Sequence, residues 1–420
     1  MIESIEKLNL LNFDKIPENS FWNTEDEPES KIHKVHVYPA KFPSLIAKKA
    51  FKYIENLNIT PQRVADIFCG CGTVAVEAKR KGYDFWGCDI NPVAVLLAEV
   101  KTNDYCLNKV KKYYDTIIED YQNLDGNENY FTDSNERLQH WYTESQYNKL
   151  YNLKLAIENS VPKGKYLDLF YCIFSSILKS TSKWLTSSIK PQVDPQKSEH
   201  DVLEAFKKQT KVFMDAIEQE DYKKSRTNIK CENVLEAFHK NYVDLIITSP
   251  PYVTSYEYAD LHQLSTLWLG YVNDYTELRK NSIGTKHKIL ANENYELPPT
   301  AQKIAEYFVD GAQKRSIMKY YSDMLKVSKK CNQLLKENGL CIFVIGDTEY
   351  KETKIENARC LAESLILNGF EIKEISKRKV ENKFLPSHRD KNGKFSSDKT
   401  DRQIYSKEYI IIGSKKSGEA

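Results

Sequence analysis

Two stretches of the 420-residue chain hold residue types and spacings that could do chemistry. The first is Asp66-Ile67-Phe68-Cys69-Gly70-Cys71-Gly72-Thr73, which overlaps the end of an apolar run from Val64 to Phe68. Glycines at such a turn bring backbone against a ligand where no Cβ can intrude. The same turn also serves plain packing, and a lone G-x-G does not choose between the two. A second apolar run, Phe85 to Cys88, ends in Asp89-Ile90-Asn91-Pro92. This sets an acid at a strand end about 20 residues after the glycines, where it can accept hydrogen bonds from both hydroxyls of a ribose. Its competing role is a helix N-cap. No glycine follows Gly72 between Thr73 and Val76, so the turn lacks the third glycine of a dinucleotide pattern. The second stretch is Thr248-Ser249-Pro250-Pro251-Tyr252, directly after Val243-Asp244-Leu245-Ile246-Ile247. Paired prolines stiffen a loop, though they also mark ordinary surface turns.

The elements that would position these residues are legible as short apolar runs. Val64 to Phe68, Phe85 to Cys88, Val243 to Thr248 and Leu340 to Ile345 read as buried strands of a parallel sheet. Asn228 to Cys231, Phe370 to Ser376 and Glu408 to Gly413 are weaker candidates, the last two as an antiparallel pair. Val74 to Lys81 has the pattern of a helix stopped by Gly82, and Ser44 to Tyr53 that of a helix entered from a proline-bounded loop. Ala259 to Gly270 also has helical apolar spacing, which favours plain packing for His262 over catalysis. From about 101 to 226 the strand–helix rhythm stops. That segment is rich in Lys, Glu, Leu and Tyr, with helical spacing at Leu150, Leu153 and Ile157 and at Phe170, Ile173, Phe174 and Ile177.

The form Asp-x-Phe-Cys-Gly-x-Gly-Thr resembles the cofactor motif of the S-adenosylmethionine-dependent DNA amino-methyltransferases. Thr248 to Tyr252 resembles the catalytic motif of their N4-cytosine and N6-adenine members, and His36-Val37-Tyr38-Pro39-Ala40-Lys41-Phe42-Pro43 is similar to the segment that closes over the methionine end of the cofactor. The resemblance covers about residues 33–100 and 228–413. It implies an α/β, Rossmann-like seven-stranded methyltransferase fold with a large helical insertion: six parallel strands joined by an antiparallel one from Glu408 to Gly413. Residues 1–100 and 227–420 would form the catalytic domain, and 101–226 an inserted DNA-recognition region.

The cofactor implied is S-adenosyl-L-methionine, held by Tyr38, Lys41, Phe42, Asp66, Phe68, Gly70, Gly72, Thr73, Asp89 and Ile90, with Glu232 and Asn233 toward its adenine. A helix cap would look the same as that last pair. The catalytic residues implied are Ser249, Pro250, Pro251 and Tyr252. An exocyclic amine is a poor nucleophile because its lone pair is delocalised into the ring. The Ser249 side chain and the Pro250 carbonyl would accept its two protons, and Tyr252 would stack on a base flipped out of the duplex. No general base is required. Serine before the prolines resembles the cytosine-modifying members, so the expected activity is site-specific methylation of cytosine N4 in DNA, in restriction–modification. Methylation of adenine N6 or of an RNA base is the alternative, and a non-catalytic nucleic-acid-binding module the third reading. Double-stranded DNA and a cognate restriction endonuclease are the partners implied. The motif order resembles the group that places target recognition between its cofactor and catalytic halves.

The rest of the composition narrows little. Hydrophobic residues at 41% and charged residues at 29% are ordinary for a globular protein, and no apolar run approaches the ~20 residues that span a bilayer. The reading is cytoplasmic. Nine scattered cysteines form no zinc-type spacing, so no metal site is expected. A net charge of +2 leaves nucleic-acid contact to local patches. Lys377-Arg378-Lys379, Lys383, His388-Arg389 and Lys391 cluster in one expected basic loop, Lys286-His287-Lys288 in another, and Ser180 to Lys190, with Lys183 and Lys190, make a polar strip for phosphates and base edges.

Overall fold

The computed structural model describes residues 2–24, 27–39, 41–124, 128–253, 258–285, 294–309, 311–350, 353–380, 388–389, 395–396, 398, 402–403 and 407–417. Seven strands form the main sheet: β1 (Arg63–Asp66), β2 (Asp84–Asp89), β3 (Thr227–Cys231), β4 (Val243–Thr248), β5 (Leu335–Ile345), β6 (Phe370–Lys379) and β7 (Lys407–Lys415). Their order is β3-β2-β1-β4-β5-β7-β6. All contacts from β3 to β5 are parallel, while β7 runs antiparallel to both β5 and β6. The seven-stranded fold with one antiparallel strand is therefore the one expected, with β7 wedged between β5 and β6 rather than added at the rim.

The continuous apolar runs arise because both faces of this sheet are covered. Ala65, Trp86, Ile246, Phe343 and Ile411 join one core with the helices Ala312–Leu334 and Asn357–Leu367. Their neighbours Val64, Phe85, Leu245, Ile342 and Ile410 join another with Ser44–Asn56 and Thr73–Lys81. Each Val, Leu, Ile or Phe among them contributes roughly 1.5–3 kcal/mol by leaving water. The free edge of β6 is masked by the N-terminal segment: Asn19 N donates to the Lys377 carbonyl at 2.8 Å, and Ile2 bridges Ile372. An uncovered edge would invite pairing with another chain.

The inserted segment is helical, with Leu107–Asn123, Glu136–Trp141, Glu144–Ser160, Lys165–Ile177 and Val202–Ile217. Trp141, Leu150, Phe170, Phe174 and Phe206 share one apolar cluster with Leu96 and Val100 of the helix Pro92–Thr102, and with Leu264 and Trp268 of Gln263–Trp268. The insertion is thus a third helical layer packed onto the sheet unit. The stretch expected as one helix over Ala259 to Gly270 is two, Tyr258–Leu261 and Gln263–Trp268, broken at His262 with φ −108° and ψ 11°. No helix of the described residues is long and apolar enough to cross a membrane.

Candidate active site

In an open parallel sheet, ligands bind beyond the carboxyl ends of the strands where the strand order reverses. Here the reversal lies between β1 and β4, which are paired through Val64–Leu245 and Ala65–Ile246. The glycine turn leaves the end of β1, and Ser249 to Tyr252 leaves the end of β4. Two stretches 176 to 186 residues apart in sequence therefore open side by side on one crevice.

A buried bond joins them. Asp66, 2% exposed, accepts from Thr248 Oγ1 at 2.6 Å and from Phe68 N at 3.1 Å through the same oxygen, Oδ1. Asp66 thus ties the root of one motif to the root of the other. Burial, opposed by these two donors, pushes its pKa from 3.8 up to about 7. A carboxyl raised on folding stabilises through its proton. That contribution is whole below about pH 4 and is lost as pH rises through about 7. Asp66→Asn keeps an acceptor oxygen but cannot ionise, so urea unfolding at pH 5 and pH 8 should show a weaker loss of stability with pH than in the parent. Equal slopes in the two proteins would refute it.

The two glycines answer different demands. Gly70 has φ +47°, and a Cβ there would lie 3.6 Å from the Tyr38 ring, so Tyr38 roofs the turn. Gly72 has φ +78°, and a Cβ would sit 2.6 Å from the Ala98 Cβ and 2.7 Å from its Cα. Its glycine is required by the close packing of the helix Pro92–Thr102. Gly72→Ala should cost roughly 2–5 kcal/mol from the left-handed φ and the overpacked contact together. An unchanged urea midpoint would contradict that reading.

Asp89 ends β2 with its carboxylate half-buried at the mouth of the crevice. It accepts from Gly70 N and from Asn91 N, each at 2.9 Å, and burial raises its pKa. Each oxygen keeps a lone pair for a further donor. Beside it, Thr73 Oγ1 and Asn91 Nδ2 are buried without partners at the first turns of the helices after β1 and β2. An acceptor pair, a roofed glycine turn and two orphaned polar atoms fit a nucleoside-bearing ligand with no pyrophosphate, as S-adenosylmethionine is. Lys101, 1% exposed, supports the turn from behind by donating to the Cys71 carbonyl at 3.0 Å. The sequence offers no sign of that role.

Other expected cofactor residues are placed as follows. Phe42 and Phe68 pack partly buried against the two sheet cores, and Ile90 lies in the bend after β2. The Lys41 ammonium is bound to Glu29 at 2.5 Å and to the His33 carbonyl at 2.9 Å, which fastens the closing segment internally. Glu232 N donates to the Asp89 carbonyl at 3.1 Å. Asn233 caps the turn Val234–Glu236 by accepting from Leu235 N, so the cap is what its side chain does here. The Tyr38 ring stacks on His262 with centroids 4.8 Å apart. Burial lowers the pKa of His262 to about 3 and of His36 to about 4, leaving both neutral.

At the end of β4 no hydrogen bond among the described residues occupies the Ser249 hydroxyl or the Pro250 carbonyl, whereas the Pro251 carbonyl accepts from Tyr320 OH at 2.8 Å. Pro250 is buried and Ser249, Pro251 and Tyr252 are partly exposed. Tyr252 OH donates to Glu408 Oε1 at 3.0 Å.

Of the basic residues expected on DNA, Arg378 is a correction. It lies in β6 and is 2% exposed, paired with Glu408 through Nε at 2.8 Å. Lys377 is buried too, donating to the Asp14 carbonyl. Strand pairing with β7 extends through Lys379, and it draws in residues that sequence reasoning left in a loop. In the Ser180 to Lys190 strip, Ser182 is buried while Ser180 and Ser187 are exposed; Ser180 and Ser182 donate to the Ile177 and Lys179 carbonyls, and Trp184 stacks on Trp141 at 4.9 Å. Lys183 is half-buried and Lys190 exposed. Arg137, not anticipated, lies with Lys183 near His140, and both charges hold its pKa down further after burial. Lys286 lies outside the described residues. Arg389 belongs to the short strand His388–Arg389, and its side chain is outside the description.

A family model described as D12 class N6 adenine-specific DNA methyltransferase matches residues 47–319, and one described as DNA methylase, of the N6/N4 type, matches residues 243–419. The type II methyltransferase M.MvaI of Kocuria varians is 23% identical over 423 residues, 91% of each chain. M.BsoBI of Geobacillus stearothermophilus is 25% identical over 239 residues, covering 49% of this chain and 47% of that one. A solved SAM-dependent methyltransferase from Methanosarcina mazei aligns with 91% of this chain and 99% of its own at 11% identity, with a TM-score of 0.31. The chain belongs to the S-adenosylmethionine-dependent DNA amino-methyltransferases, the family that modifies adenine N6 and cytosine N4.

Proposed function

We propose that the protein methylates the N4 amine of cytosine in double-stranded DNA, with Ser249, Pro250 and Tyr252 at the reacting base. The observation that carries this is the pair of unengaged acceptors, Ser249 Oγ and the Pro250 carbonyl, at the sheet's switch point and next to Tyr252. Accepting both amine protons draws the nitrogen lone pair out of conjugation. S-adenosylmethionine, which Asp89 and the Gly70 turn under Tyr38 would hold, would supply an electrophilic methyl group with a thioether as its leaving group. Ser249 and the Pro250 carbonyl then stabilise the tetrahedral, positively charged nitrogen, which needs no base until transfer is complete. Asp89 would hold the ribose, Tyr38 the turn, and Asp66 the spacing of the two halves.

Serine rather than an acid or amide before the prolines supports cytosine. The D12 match supports adenine N6 as the second reading. The helical insertion is the proposed recognition region, with Arg137, which donates to Gln263 Oε1 at 2.6 Å, and Lys183 as candidate phosphate contacts, and the modification would protect DNA from a cognate restriction endonuclease. Nucleoside mass spectrometry of DNA from a methylation-free host expressing the chain should show N4-methylcytosine. N6-methyladenine alone would overturn the cytosine assignment. Neither base, from a preparation that binds cofactor, would overturn the catalytic reading of Ser249 to Tyr252.

A further inference from the structure

Tyr252 is held from two sides. Its hydroxyl donates to Glu408 Oε1 at 3.0 Å, and Glu408 Oε2 accepts from Arg378 Nε at 2.8 Å and from Arg378 Nη2. Glu408 on β7 and Arg378 on β6 are direct register partners, so the sheet itself fixes that carboxylate. Against the ring lies Gly346, just past the end of β5. A Cβ there would come within 3.2 Å of Tyr252 Cε2 and 3.6 Å of Glu408 Cγ, so a side chain at this position would press the ring aside by a few tenths of an ångström. The preceding carbonyl, of Pro251, is pinned by Tyr320.

We infer that Glu408, anchored by Arg378, is a positioning residue that sets the Tyr252 ring to receive the flipped base. The inference rests on Tyr252 being the stacking residue proposed above. A buried ion pair adds little net stability, because desolvation offsets the attraction. Arg378 is 2% exposed, and packing β6 on β7 would be served as well by an apolar pair. What the ion pair supplies and an apolar pair lacks is an ionised acceptor of fixed position, to which a phenol donates more strongly than to a neutral oxygen. A ring already oriented spares the cost of ordering it when the base arrives.

A double-mutant cycle on the full chain tests this, with DNA from a methylation-free host and methyl-tritiated S-adenosylmethionine as substrates. Tyr252→Phe and Glu408→Ala should each lower kcat/KM for DNA on the order of 10-fold, the worth of one hydrogen bond to a charged group. Cofactor affinity by calorimetry should hold in both. The double variant should be no slower than the slower single, since both remove the same bond. Glu408→Gln should lose less than Glu408→Ala, because its amide oxygen still accepts. Losses that multiply in the double variant would overturn the inference, as would a wild-type rate in Glu408→Ala. If Glu408→Ala no longer binds cofactor, Arg378→Met with Glu408→Leu removes both charges and takes its place in the cycle, under the same criteria. Tyr252→Ala separates the two ideas. A wild-type rate there sinks the stacking reading itself, whereas a slow Tyr252→Ala beside a fast Glu408→Ala sinks only the positioning role.

Discussion

Ser249→Ala should lower turnover by about 10²- to 10³-fold, on the scale of losing one preorganised partner of a developing charge. The hydroxyl is partly exposed and has no hydrogen bond among the described residues, so the substitution opens no internal polar gap and the fold should survive it. The loss should fall on kcat more than on KM for DNA, because the acceptor matters most when the nitrogen has become tetrahedral and charged. Initial rates of tritium transfer at saturating cofactor measure this. A proportional rise in KM with kcat intact would assign Ser249 to binding and defeat the mechanism.

The second large effect is expected at Asp89. Asp89→Ala should weaken cofactor binding by roughly 1.5–3 kcal/mol for each charge-assisted hydrogen bond lost, before water compensates. The same carboxylate holds Gly70 N and Asn91 N, so truncation also frees the glycine turn and the next helix start. Asp89→Asn separates the contributions. It can still accept from one of these amides, and its loss of affinity should be smaller than that of alanine. Calorimetry showing parent-like affinity in Asp89→Ala would remove Asp89 from the site.

The parallel strands, the glycine turn and the Ser-Pro-Pro-Tyr loop were legible because each depends on local pattern: unbroken apolar runs, glycine and proline at fixed offsets. The supports were not. Asp66 and Thr248 lie 182 positions apart, and Tyr252 and Glu408 lie 156 apart. Nothing in either neighbourhood announces the other. Arg378 was misread for a related reason. A Lys-Arg-Lys run looks solvated by composition, yet strand alternation and the pairing of β6 with β7 turn its middle residue inward against Glu408. The contact of Gly72 with Ala98 was not legible either, because the spacing of glycines does not say what each one approaches.

The cluster that joins the insertion to the sheet unit governs how such enzymes can be recombined. His36 Nε2 meets Ser175 Oγ at 3.0 Å, Ser175 meets Ser265 Oγ at 2.7 Å, and Trp141 Nε1 donates to Gln263 at 2.9 Å. A graft that exchanged residues 107–217 alone would cut through these bonds and through the apolar contacts of Trp268 with Tyr147 and Phe174. The transferable unit is discontinuous: the inserted helices travel with the segment around His36 and with Gln263–Trp268. On the proposal that the insertion reads the target, a change of sequence preference would be inherited through two or three separated stretches of the gene rather than through one cassette.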